Sequence, residues 1–205
     1  MIHTSRLTVM WIALALLLAL LALATSGCAS QPIPGSRTSE RSARAEDDVD
    51  RFSVYELDAS WRDQSGATRS LASFRGTPVL LAMIYTHCTA TCPLAVSELK
   101  RVAALDPDVR FVLVSLDPAR DDASRLAHYA AERALEPSRW TLLTGSDADV
   151  RDLAATLGVR FRQVTPDDLA HTNLITLLDR EGRITRQTSG PIDVAAIAEL
   201  HATAR

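Results

Sequence analysis

Apolar and polar positions divide this chain into stretches of different character. Val9 to Ala24 is an unbroken apolar run of sixteen residues. Residues 29–50 are nearly the reverse, rich in Ser, Arg, Pro, Glu and Asp. Beyond them, apolar positions recur with the short periods of folded elements. Phe52 to Asp58 alternates like a strand, and Gln64-Ser65-Gly66 supplies a turn before Thr68 to Leu71, which together predict a hairpin. Val79 to Tyr85 is a continuous apolar run, as expected of a strand buried on both faces. Pro93 stands where a helix would begin, and Leu94, Val96, Leu99 and Val102 follow at helical spacing. A second buried strand is expected over Val109 to Leu116 and a helix over Asp121 to Leu135. A short strand over Trp140 to Leu143 and a helix over Asp147 to Leu157, stopped by Gly158, come next. Thr172 to Leu178 and Ile184 to Gln187 flank the turn Asp179-Arg180-Glu181-Gly182, and Pro191 to Ala202 closes the chain as a helix. This order predicts an α/β domain with a mixed central sheet covered on both faces and an N-terminal hairpin extension.

Length and composition bound what such a domain can do. The 205 residues are 47% hydrophobic and 23% charged, room for one domain with its own core. A formal net charge of −3 argues against nucleic acid, whose phosphates call for a basic excess. Three cysteines are too few for a disulfide-stapled scaffold, and the odd count leaves at least one with another task.

One of the three belongs to the N-terminus. Arg6 precedes the apolar run and Thr25-Ser26-Gly27-Cys28 follows it, the layout of a secretory signal peptide. A cysteine directly after Ser-Gly resembles a bacterial lipoprotein signal, which implies a signal peptide over 1–27 and lipid attached at Cys28. An uncleaved membrane anchor and plain secretion are the alternatives, since a span needs roughly 20 residues. Each reading places the remaining chain outside the cytoplasm; the first makes it a membrane-anchored lipoprotein of a bacterial periplasm. Residues 28–50 then read as a disordered tether with a reach of roughly 25 Å, in which Glu46, Asp47, Asp48 and Asp50 form a solvated acidic face. Residues 51–205 are left as the folded domain.

That domain, with cysteines where its first buried strand meets its helix, resembles the thioredoxin-like arrangement. In Cys88-Thr-Ala-Thr-Cys92 the second cysteine lies near the helix start, where unpaired N–H groups and the helix dipole stabilise a thiolate. The two sulfurs can face one point, close enough to form a disulfide or to offer two thiolates to one soft metal ion. Two inert structural thiols are the plainer alternative. The redox reading meets two departures: three residues separate the cysteines instead of the usual two, and no proline directly precedes the later strand. Ala170, His171 and Thr172 stand there instead. In this arrangement His171 would lie beside the cysteine loop. Two thiolates and an imidazole suit copper, sulfur favouring Cu(I) and nitrogen keeping Cu(II) accessible. Zinc accepts the same donors but usually takes a fourth ligand.

At these residues the chain resembles the SCO/SenC family of copper-binding thioredoxin-like proteins. Four segments carry the resemblance in order: Phe74 to Leu81; Tyr85 to Pro93 with Glu98-Leu99; Ser115 to Asp121; and His171 followed by Leu178 to Arg183. Thr89, Ala90 and Thr91 stand where the family usually has Pro and an acidic residue, and Asn173 to Thr176 lacks an aromatic common there. The resemblance implies that Cys88, Cys92 and His171 bind copper, and that Cys88 and Cys92 can also form a redox disulfide. It further implies copper insertion into a respiratory cytochrome oxidase at the outer face of the membrane, with the oxidase copper-site subunit or another copper carrier as partner.

The expected function is therefore that of a metallochaperone and assembly factor, in the strict sense not an enzyme. A membrane-tethered thiol–disulfide oxidoreductase is the alternative, and a peroxidase or redox sensor comes after it. His87, beside the first cysteine, is expected to line the site without ligating. Asp117 either supports the site or simply opens a turn, as Asp-Pro favours. His128 and His201 are expected at the surface, and Glu98 to cap its helix or pair with Arg101, outside the site.

Overall fold

The computed structural model describes residues 52–88, 91–165 and 168–189, all within Asp47–Arg205, one of the two units into which the chain divides. The expected signal segment, Cys28, the tether and the closing helix Pro191 to Ala202 lie outside the described residues. Along them run β1 (Trp61–Asp63), β2 (Thr68–Arg69), β3 (Val79–Ile84), α1 (Thr91–Leu105), β4 (Arg110–Ser115) and α2 (Ala123–Glu132). Then come β5 (Trp140–Thr144), α3 (Asp147–Thr156), β6 (Phe161–Thr165), β7 (Asp168–His171), β8 (Ile175–Leu178) and β9 (Ile184–Thr188).

Seven strands form one mixed sheet in the order β2-β1-β5-β4-β3-β8-β9. β3, β4 and β5 run parallel, whereas β8 joins β3, β9 joins β8 and β1 joins β5 antiparallel. The unbroken apolar run of β3 has its physical cause here: all six residues are buried, so both faces of the sheet are covered. β4 is buried from Phe111 to Ser115 and β8 throughout, and these strands hold the core.

The N-terminal hairpin exists but sits later than its alternation suggested. Its strands are β1 and β2, whereas the expected strand over Phe52 to Asp58 is a 3-10 turn, Val54–Glu56. Ser53 Oγ accepts from the Tyr55 N–H at 3.1 Å and curls the chain, so Val54 and Tyr55 are both buried, which successive residues of a one-sided strand cannot be. Gly182 permits this packing: it has φ +84, and a Cβ there would lie 2.4 Å from the Tyr55 ring. The β1–β2 turn is held by Asp63, whose Oδ1 accepts from the Ser65 and Ala67 N–H groups at 2.9 and 3.1 Å.

α2 begins two residues later than expected. The Asp122 side chain caps it by accepting from the Arg125 N–H at 2.7 Å, which leaves Asp121 outside the helix and fully buried. β6 and β7 form a separate two-stranded hairpin that the apolar pattern did not announce. β6 is exposed along nearly its whole length and so carries no burial period. The Thr172 N–H donates to the Arg160 carbonyl at 2.8 Å, which gives Thr172 to the base of this hairpin and shortens the expected strand to β8.

Candidate metal centre

The chain leaves β3, an inner strand of the sheet, through a turn in which the Cys88 N–H donates to the Tyr85 carbonyl at 3.1 Å. α1 starts with Thr91, so Cys92 is its second residue and Pro93 its third, not its first. Proline is tolerated there because the first four N–H groups of a helix lack intrahelical partners. The Cys92 N–H instead donates to Cys88 Sγ at 3.3 Å, a contact that favours negative charge on that sulfur. Both residues carry thiols; Cys88 is 6% exposed and Cys92 fully buried.

His171 arrives from a distant part of the chain as the last residue of β7. Its Nδ1 lies 3.2 Å from the Thr172 carbonyl. A carbonyl can only accept, so this contact calls for a proton on Nδ1, and in the neutral imidazole Nε2 then keeps the lone pair that a metal takes. Nε2 is 3.7 Å from Cys92 Sγ. Among the described residues, Cys88, Cys92 and His171 form a group able to hold a metal ion, one donor atom each and all within 4.8 Å of one another. Donors held about 2.0–2.3 Å from one ion lie at most about 4.5 Å apart. Three donors spread evenly around one ion lie closer still, about 3.5–4.0 Å apart, so the group needs a contraction of about 1 Å at its widest pair to close on a metal.

Around it sit groups that hold the frame. The Tyr85 hydroxyl donates to Asp168 Oδ1 at 2.7 Å, and its ring meets the His171 ring edge-on with centroids 5.7 Å apart. Burial, then the Asp168 hydrogen bond and the neighbouring Cys88, push the Tyr85 phenol above its usual range, so it remains a donor. Burial likewise raises Tyr129 of α2 to about 12; Arg133 opposes the shift and the two cysteines add to it. Beneath the cysteine turn, Asp121 accepts from the Thr86 N–H at 3.0 Å, the Thr86 hydroxyl at 2.5 Å and the Ser115 hydroxyl at 2.5 Å.

The other expected positions fall outside the donor group. His87 is exposed and places Nδ1 3.8 Å from Asp121 Oδ1. Asp117 lies in the turn after β4, where its Oδ2 accepts from Arg120 Nε and its N–H donates to Ser115 Oγ. It reaches the site through that serine, which in turn donates to Asp121, and through its own carbonyl, which accepts from the Asp121 N–H at 2.9 Å. His128 pairs with Glu132 at the surface and Glu98 with Arg101, as expected, while His201 is outside the described residues. Sequence reasoning missed Tyr85, Thr86, Asp121 and Asp168 as parts of the site. Tyr85 read as the end of an apolar run and Asp121 as the start of a helix, and Asp168 carried no pattern of its own. Among the described residues no helix is long and apolar enough to cross a membrane.

The family model for SCO1/SenC matches residues 55–204. The SCO1 protein homolog of Bacillus subtilis is 26% identical over 144 residues, 66% of this chain and 75% of that protein. The mitochondrial protein SCO2 homolog of Mus musculus is 32% identical over 143 residues, 64% of this chain but only 55% of that protein. The match thus spans little more than half the mitochondrial protein's length. Among solved structures, Bradyrhizobium japonicum ScoI with copper bound is 28% identical with a TM-score of 0.58, covering 70% of this chain and 96% of that one. The fold is thioredoxin-like, as the order of strands and helices led us to expect.

Proposed function

The chain belongs to the SCO1/SenC family, and we propose that it carries copper on Cys88, Cys92 and His171 and serves assembly of the copper centre of a respiratory cytochrome oxidase. The observation that carries this reading is the convergence of two thiols and one imidazole nitrogen within 4.8 Å of one another. Two soft sulfurs favour Cu(I), the nitrogen keeps Cu(II) within reach, and three donors leave an ion open to an incoming ligand. A low-coordinate site suits cargo that must leave, since a receiving thiolate can bind before Cys88 or Cys92 lets go. Copper-bound relatives of the same fold support the choice of metal. The receiving partner is the copper-site subunit of the oxidase or another copper carrier. The proposed organisation is a signal peptide over 1–27, a tether over 28–50 and the copper domain over 51–205, held at the outer face of a bacterial membrane by lipid on Cys28 or by the apolar segment itself.

The test is a titration of the full chain, solubilised in detergent, with Cu(I) against a competing chelator. One copper per chain is expected. Cys88→Ser and Cys92→Ser should each lower affinity by more than about 100-fold, and His171→Ala by less but clearly, since even outer partners of a metal site are worth roughly 10–100-fold. Unchanged affinity in His171→Ala sinks the three-donor site. A second reading, thiol–disulfide exchange, draws on the Cys92 N–H held 3.3 Å from Cys88 Sγ, which marks Cys88 as the attacking sulfur. A chain that binds no copper yet turns over a disulfide substrate would put that reading first.

A further inference from the structure

His171 is held differently from the cysteines. β6 and β7 pair with each other and with no strand of the seven-stranded sheet, so the ladder that fixes β3 and the start of the cysteine turn does not fix the histidine. Tyr85 connects the two parts. It follows β3 directly, three residues ahead of Cys88, and is 4% exposed. Its hydroxyl donates to Asp168, the first residue of β7, at 2.7 Å, and also meets the Leu169 backbone and Cys88. Its ring stands edge-on, at 80°, to His171, the last residue of the same strand. One side chain thus touches the cysteine turn and both ends of the strand that carries the histidine.

The two ends of the hydrogen bond have unlike surroundings. Tyr85 is anchored in the core, whereas Asp168 is exposed. Water can compete for the Asp168 carboxylate, so the bond is strong enough to bias the hairpin and weak enough to open. We propose that the Tyr85–Asp168 hydrogen bond is a latch that holds the β6–β7 hairpin against the cysteine turn and so sets how long His171 stays on a metal bound by Cys88 and Cys92. The role toward metal rests on the copper reading above; the mechanical role does not. On release, the bond from Nε2 to the metal breaks and a bond from a thiolate of the receiving protein replaces it. The imidazole keeps its lone pair and the metal keeps its oxidation state.

The experiment compares the full chain with Tyr85→Phe, Asp168→Ala, Asp168→Asn and the double variant Tyr85→Phe/Asp168→Ala. Tyr85→Phe keeps the ring packing and removes only the hydroxyl, and Asp168 is a surface residue, so each variant should fold. Two quantities are measured: amide hydrogen exchange of β7 in the metal-free chain, and the rate at which a chain loaded with Cu(I) loses it to a thiol chelator. Tyr85→Phe and Asp168→Ala should each speed both by about tenfold, the size of a lost hydrogen bond to a charged group. The double variant should add nothing beyond Tyr85→Phe, which already removes the hydroxyl and with it the bond to Asp168. Asp168→Asn keeps an accepting oxygen and should stay near the unmodified chain. Unchanged β7 exchange in Tyr85→Phe overturns the latch, even if copper leaves faster. Faster β7 exchange in a chain that takes up no copper upholds the latch and overturns the copper reading instead.

Discussion

Asp121 shows how one residue shapes the site without entering it. Its carboxylate is fully buried and accepts from the Thr86 N–H, the Thr86 hydroxyl and the Ser115 hydroxyl. Arg125 Nε donates in turn to Thr86 Oγ1 at 3.0 Å, which places a positive charge one hydroxyl away from the buried acid. Removing the acceptor strands three donors, and buried unsatisfied groups cost more than the bonds themselves returned. Asp121→Ala should therefore destabilise the chain by about 3 kcal/mol in a denaturant titration. Asp121→Asn should fall between, because it keeps one accepting oxygen and turns an NH2 group toward donors. An Asp121→Ala chain as stable as the unmodified one would remove Asp121 from the frame of the cysteine turn. At this scale the sequence was partly legible. Cys88 and Cys92 stood out because thiols at a strand–helix junction are chemically distinctive. Asp121 did not, because it read as the first residue of a helix, and only the structure shows that Asp122 caps that helix and leaves Asp121 outside it.

Two helices end by the same device with different residues. α3 stops at Gly158, φ +70, with the Val159 N–H donating to the Ala154 carbonyl at 2.8 Å and the Gly158 N–H to Ala155 at 3.1 Å. α2 stops at Ala134, φ 49, with the same pair of bonds, Leu135 to Ala130 at 3.0 Å and Ala134 to Ala131 at 3.1 Å. In each case the next residue, Val159 or Leu135, is buried and pins the end to the core. Ala134 carries the strain of a left-handed conformation that glycine avoids. Ala134→Gly should stabilise the chain by about 0.5–1 kcal/mol, and Gly158→Ala should destabilise it by a similar amount, both read from denaturation midpoints. Loss of stability in Ala134→Gly would contradict the shared geometry. Elements with a clear burial pattern, such as the continuously apolar β3 and the helically spaced α3, were legible for the same reason that they are stable: their pattern reflects what they bury. The turn Val54–Glu56 and the exposed β6 were not, because a local serine contact decides the first and no burial marks the second.

Across the whole molecule, the three donors come from the turn after β3, the start of α1 and the end of β7. They meet only in the folded chain, so an ion bound by all three stabilises the folded state by mass action. At free metal 100 times the dissociation constant this amounts to about 2.7 kcal/mol. One equivalent of Cu(I) should thus raise the Tm of the full chain in calorimetry, and Cys92→Ser should lose most of that rise. A rise in Cys88→Ser and Cys92→Ser as large as in the unmodified chain would show that the stabilisation comes from elsewhere. By itself the sequence determined the α/β class, the central buried strands, the cysteine pair at a helix start and the candidacy of His171, because these follow from local burial periods and from donor chemistry. Only the tertiary structure decided that His171 ends a hairpin separate from the main sheet, that Tyr85 ties that hairpin to the cysteine turn and that Asp121 supports the turn from below. Those contacts join residues 35 to 83 positions apart in the chain, and no local periodicity encodes a partner at such a distance.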